Sequence, residues 1–138
     1  MFKTVLFPID QSRESREAAG TVADIVKTYG SKLLLLSVVE EPPAGAPPRA
    51  GDEVMSSPAA IAELLEEAQT FFSQLDIQTE AVERQGQPAF VICDVADEMN
   101  VDLIVMGCRG LGLTEEGAAE SVTYRVINLS PCPVLIVP

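Results

Sequence analysis

Val101–Gly112 reads VDLIVMGCRGLG, and the fold turns on how this stretch is read. Val101 to Met106 is apolar apart from Asp102. That pattern predicts a strand buried on both faces, as in a parallel sheet. The strand ends in Gly107 and enters a loop with further glycines at 110 and 112. Glycines after a strand let backbone N–H groups approach an anion closely. Many α/β turns also carry two glycines for structural reasons alone, so the spacing leaves both readings open. The loop runs to Ser121, at the expected start of a helix marked by Val122, Val126 and Leu129. A helix N-terminus favours phosphate through its free N–H groups and its dipole, and the hydroxyls of Ser121 and Thr123 can add donors.

Working outward, the same alternation fills the chain. Thr4 to Ile9 predicts another buried strand, ending at Asp10. Ser12 is placed to cap a helix from Arg13, with Ala19, Val22, Ala23, Val26 and Tyr29 on its inner face and Gly30 as its stop. Leu33 to Val39 predicts a second buried strand. Glu40 to Pro58 holds five of the ten prolines and predicts a long loop. Ser57 and Pro58 predict a helix start, followed by the stripe Ile61, Leu64, Leu65, Ala68, Phe71, Phe72 and Leu75. Ile77 to Arg84 mixes polar and apolar residues, as an edge strand does. Gly86 turns the chain and Pro88 opens a third helix with Val91, Ile92, Val95, Ala96 and Met99 inward. Val134 to Val137 is the last strand. Five strands alternating with four helices imply an α/β, doubly wound parallel sheet with helices on both faces, in one domain over residues 1–138.

Ligands of such sheets bind beyond the carboxyl ends of the strands, where the winding reverses. Asp10 and the loop from Gly107 share one crevice if the first and fourth strands are neighbours. Asp10 then contacts a ribose hydroxyl or a base; its other reading is a cap on the following helix.

Bulk properties narrow the function. The net charge of −12 predicts repulsion from nucleic-acid backbones and anionic membranes. No apolar run approaches a membrane span, and the N-terminus enters a strand pattern at once rather than a signal peptide. Cys93, Cys108 and Cys132 are an odd, widely spaced set, expected as free thiols in a reducing, cytoplasmic compartment. Cys108 beside Arg109 is either a thiol of lowered pKa or a small space-filling residue. The chain has no histidine, which removes histidine-dependent nucleophiles and bases and the commonest zinc ligand. No metal-binding spacing is present.

The whole chain resembles the universal stress protein family. The resemblance is carried by Pro8-Ile9-Asp10-Gln11-Ser12, by Leu33 to Val39, and by Asp102 to Gly110. Ser121-Val122 with Arg125-Val126, and Ser130 to Val137, complete it. It implies a five-stranded parallel sheet in the order 3-2-1-4-5, of the adenine-nucleotide alpha hydrolase-like type. It places Asp10 and Val38 near the ribose and base of an adenine nucleotide and Gly107, Gly110, Ser121 and Thr123 near its phosphates, with Pro8, Ile9, Met106, Arg109 and Val122 as further residues of the site. ATP-binding members carry glycine, two residues, glycine, nine residues, then glycine and a hydroxyl residue. Gly107, Gly110 and Ser121 match this pattern, and Glu120 stands where the third glycine belongs. A carboxylate about 5 Å from a phosphate charge costs roughly 3 kcal/mol at an effective dielectric near 20. Glu115 and Glu116 add to it, unless Mg²⁺ enters with the nucleotide and reverses the sign. The expected ligand is therefore ATP or AMP held weakly.

The leading expectation is a non-enzymatic, nucleotide-responsive stress protein. Its alternative is a dimeric interaction protein that binds no ATP. A slow ATP hydrolase working through Ser121 ranks below both, because no histidine or lysine stands near the cleft. A phospho-receiver is excluded: Asp10 lacks an acidic neighbour, Arg84-Gln85-Gly86 follows the third strand, and no lysine follows the fifth. A homodimer is expected through Val134–Val137, an apolar edge without charge.

Overall fold

The structure, a computed structural model, describes residues 1–40, 57–107 and 122–138. Their elements are β1 (Thr4–Pro8), α1 (Arg13–Tyr29), β2 (Lys32–Glu40), α2 (Pro58–Ser73) and β3 (Thr79–Gly86). They continue with α3 (Pro88–Glu98), β4 (Leu103–Gly107), α4 (Val122–Leu129) and β5 (Val134–Val137). One sheet holds the strands in the order β3-β2-β1-β4-β5, all neighbours parallel. This is the expected order. Glu40 closes β2 and Pro58 opens α2, so the proline-rich loop between them lies outside the described residues.

The strand pleat divides two cores. Val5, Phe7, Leu33, Leu35, Leu103 and Val105 face α1 and α2, whose Val22, Val26, Ile61, Leu65 and Phe72 cover them. Leu6, Leu34, Leu36, Ile104 and Met106 point the other way, onto Ile92, Val95 and Ala96 of α3 and Val126 of α4. Each such side chain taken fully out of water contributes about 1.5–3 kcal/mol, which is why the central strands are the most apolar. Phe7 meets Phe72 edge to face, with ring centroids 6.2 Å apart.

Local rules account for the helix ends. The Ser12 side chain accepts from the Ser15 N–H, and Gly30 stops α1 at φ 62°, the left-handed region a glycine enters at no steric cost. Ser57 caps α2 and Pro58 takes its first position.

Several inward expectations are corrected. Tyr29 is 46% exposed and lies edge-on to Phe2, because the last turn of α1 runs past the start of β1; Ala18, fully buried, takes its place in the stripe. In α4, which Val122, Val126 and Leu129 mark in the sequence, Thr123 and Val126 are the buried residues and Leu129 is 48% exposed. Phe71 keeps 40% of its surface exposed. β1 ends at Pro8 rather than Ile9, although the Ile9 N–H still donates to the Leu36 carbonyl at 2.8 Å.

Candidate functional site

α1 and α2 cover one face and α3 and α4 the other, so the winding reverses between β1 and β4. The cleft opens at that switch point, over the carboxyl ends of the strands. Pro8, Ile9, Asp10, Val38, Met106, Gly107, Val122 and Thr123 all line it. These are eight of the eleven residues expected there. Arg109, Gly110 and Ser121 lie outside the described residues, as do Cys108, Glu115, Glu116 and Glu120.

The β1–α1 connection is held by its own polar groups. The Asp10 carboxylate accepts from the Ser12 N–H at 2.7 Å, and the Asp10 N–H donates to the Ser15 hydroxyl at 3.3 Å. Ser12, not Asp10, is the residue that caps α1. The Ile9 carbonyl accepts from the buried Ser37 hydroxyl at 3.1 Å, which pins the connection to β2. Aspartate after a strand thus serves as a local brace, with its carboxyl group still on the cleft wall.

Gly107 has a cause the sequence does not display. A β-carbon there would lie 2.6 Å from the Glu14 carbonyl group and 2.9 Å from the Ser15 nitrogen. No side chain fits between the end of β4 and the first turn of α1. The glycine therefore lets two main chains close the floor of the cleft.

Thr123 is 2% exposed, and its hydroxyl donates to the Gly107 carbonyl at 3.3 Å. A hydroxyl has one proton to give. Thr123 thereby ties the start of α4 to the end of β4, and it donates to a ligand only by releasing Gly107.

The electrostatics come from helix ends and two carboxylates. Pro88 and Val122, the first residues of α3 and α4, both line the cleft. Gln87 caps α3 without a side-chain hydrogen bond, so the N–H groups of the first turn of α3 are not satisfied by their cap. Such ends favour an anion. Asp10 and Glu40 are the charged side chains among the described lining residues. Sequence reading missed Glu40, Leu36, Ser12, Ser15, Pro88 and Ile92 as wall residues. The strand register names some of them: Leu36 pairs with Pro8, and Glu40 closes the strand that carries Val38.

No group of histidine, cysteine, aspartate or glutamate fit to hold a metal ion occurs among the described residues. No described helix is long and apolar enough to cross a membrane. Cys93 and Cys132 are free, partly buried thiols against the α3–α4 core. Burial pushes both upward from the usual thiol pKa, Asp94 adding to this at Cys93, while the Ser130 hydroxyl beside Cys132 works against it.

A parallel sheet in this order, with its cleft at the β1–β4 switch, defines a doubly wound α/β protein. The profile of the universal stress protein family matches residues 1–138, and the chain belongs to that family. It is 65% identical over 138 residues to universal stress protein Sll1654 of Synechocystis, covering all of this chain and 87% of that protein. Among solved structures, UspA from Lactobacillus plantarum aligns with a TM-score of 0.79 at 24% identity, covering 99% of this chain and 98% of that one. A universal stress protein in complex with cAMP aligns with a TM-score of 0.77 at 24% identity, covering 99% and 97%.

Proposed function

We propose that this protein is a non-enzymatic, nucleotide-responsive stress protein whose cleft takes an adenine nucleotide, AMP or ATP, with weak affinity for ATP. The observation that carries the reading is the convergence of Pro8, Ile9, Asp10, Val38, Met106, Gly107, Val122 and Thr123 on one cleft at the sheet's switch point. Apolar Val38 and Met106 offer a surface for the base. Asp10 offers an acceptor for a ribose hydroxyl. The N-termini of α3 and α4 offer partial positive charge for phosphate. Family members solved with cAMP, with dAMP from Archaeoglobus fulgidus, and with AMP from Arabidopsis thaliana support an adenine ligand. Mg²⁺ would enter only with nucleotide. The absence of histidine from the sequence supports a binding role rather than catalysis.

Calorimetric titration with AMP, ADP and ATP, each with and without Mg²⁺, tests the proposal. Saturable binding of at least one nucleotide is expected. No saturable heat with any of them overturns it in favour of an interaction protein with an empty cleft.

A specific observation also supports self-association. β5 is the outer strand of the sheet beside β4, and Leu135, Ile127 and Leu129 near that edge are 38%, 51% and 48% exposed. An apolar edge strand invites a second copy, and a two-fold axis closes the pair.

A further inference from the structure

The buried polar side chains among the described residues are three hydroxyls, Ser15, Ser37 and Thr123, at 6%, 0% and 2% exposure. A hydroxyl has one proton to give, and burial makes it costly to leave that proton without an acceptor. Ser37 donates to the Ile9 carbonyl at 3.1 Å and Thr123 to the Gly107 carbonyl at 3.3 Å. Ser15 differs. Its hydroxyl accepts from the Asp10 N–H at 3.3 Å, and its own N–H donates to the Ser12 hydroxyl at 3.2 Å, but no described residue accepts the Ser15 hydroxyl proton. Hydroxyls within helices can bond back to the carbonyl four residues earlier, as Thr28 does to Asp24 at 2.7 Å and Thr70 to Glu66 at 3.0 Å. Ser15 keeps its oxygen on the Asp10 N–H instead.

Ser15 stands on the wall of the nucleotide cleft with Asp10 and Gly107. A β-carbon on Gly107 would lie 2.9 Å from the Ser15 nitrogen, so the glycine brings the end of β4 against the first turn of α1 and sets Ser15 at the floor of the cleft. Beside it, the Asp10 carboxylate accepts from the Ser12 N–H at 2.7 Å. An ionised carboxylate has about four acceptor positions, so it has capacity beyond that bond. A donor without an acceptor and an acceptor with capacity left are thus held together in one connection. That pair is complementary to a group that both gives and takes a proton, which is what a hydroxyl does.

We propose that Ser15 is a specificity-determining residue of the cleft: it donates to a ribose hydroxyl whose own proton Asp10 accepts. The inference rests on the nucleotide reading above and deepens it, since the family resemblance assigns Asp10 to the ligand but not Ser15. The pair reads the sugar rather than the base or the phosphates. A deoxyribose at that position leaves the buried Ser15 proton without an acceptor and turns a C–H toward Asp10, so the cleft takes a ribonucleotide over the matching deoxynucleotide. A phosphate is the poorer partner at this spot, because the Asp10 carboxylate beside it repels a second anion.

The test is calorimetric titration of the full chain with AMP, 2′-deoxy-AMP and 3′-deoxy-AMP. Wild type should bind AMP more tightly than one of the two deoxy analogues by about tenfold or more, a comparison that needs no variant. Ser15→Ala, checked for folding by circular dichroism, should weaken AMP by about five- to tenfold and leave that analogue within about twofold, so that the sugar preference collapses. Ser15→Cys, close to serine in size but a weak donor, should behave like Ser15→Ala. Equal AMP affinities of wild type and Ser15→Ala overturn the inference; the proton then turns into the gap between α1 and α2, which Ser15 also borders. Equal losses for AMP and both analogues overturn it as well, because the hydroxyl then only shapes the wall. Wild type that binds AMP and both analogues alike removes this inference and leaves the nucleotide reading standing. Wild type that binds none of the three overturns both.

Discussion

Gly107 and Glu14 stand so close that a β-carbon on residue 107 would lie 2.6 Å from the Glu14 carbonyl carbon and oxygen. The contact is between main chains, so neither side can swing away as a flexible side chain would. Gly107→Ala must push the first turn of α1 off the end of β4. The expected cost is about 1–3 kcal/mol of stability, as for other overpacked sites. Urea denaturation followed by circular dichroism checks it through a lowered midpoint. An unchanged midpoint would mean that α1 yields there at no cost.

Gly20 is the opposite case. It sits inside α1 on the exposed face, and a β-carbon there meets nothing within 4 Å. Gly20→Ala should stabilise the fold by about 0.5–1 kcal/mol through reduced freedom of the unfolded chain. The urea midpoint should rise with an unchanged slope.

Glu120 lies outside the described residues, and its interest comes from the family resemblance, in which ATP binders carry glycine at that position. Glu120→Gly should tighten ATP binding by about one to two decades, with a smaller gain for AMP, which carries less phosphate charge. Calorimetry on both proteins decides. Weaker Mg²⁺-ATP binding in the variant would instead make Glu120 a partner of the metal.

The edge position of β5 predicts a homodimer. Light scattering at tens of micromolar should give about twice the 14.8 kDa chain mass. Leu135→Glu, a charge placed on the exposed apolar edge, should shift the protein toward monomer. A wild-type monomer at that concentration would dispose of the interface.

Cys93 and Cys132 should be slow to alkylate at neutral pH. Burial raises both thiol pKa values above 9.0, and the thiolate is the reactive form. Their iodoacetamide rates, followed peptide by peptide in a mass spectrometer, should climb about tenfold per pH unit and still be rising beyond pH 9. A raised folded-state pKa means that the folded chain holds the proton more tightly. Stability is therefore retained below pH 9 and falls as pH rises from there through the folded-state values. A plateau in alkylation rate below pH 8 would contradict the buried setting.

The strands themselves were legible because their signals are local and repeated, while their order, 3-2-1-4-5, came from the family resemblance. Leu33 to Val39 and Leu103 to Met106 are apolar at both parities, which a sheet covered on two faces requires. Helix ends were legible where one residue carries the cap, as at Ser12, Gly30 and Ser57. Tyr29 was misplaced because a helical stripe says which way a residue points and not where the sheet beneath it ends. Much of the cleft wall followed from strand ends, and Val38 from the family resemblance. Glu40 and Pro88 went unseen because lining is a matter of which ends converge. The tight fit of Gly107 on Glu14 was hidden for the same reason: it depends on a distance between segments over ninety positions apart.

Ile9 and Asp10 form one short connection on the wall of the cleft. The Asp10 carboxylate is held by the Ser12 N–H at 2.7 Å, and the Ile9 carbonyl by the Ser37 hydroxyl at 3.1 Å. A connection tied down on both sides has little conformational freedom left to lose. That stretch of wall is therefore preorganised, and it adds little to the entropic cost of filling the cleft.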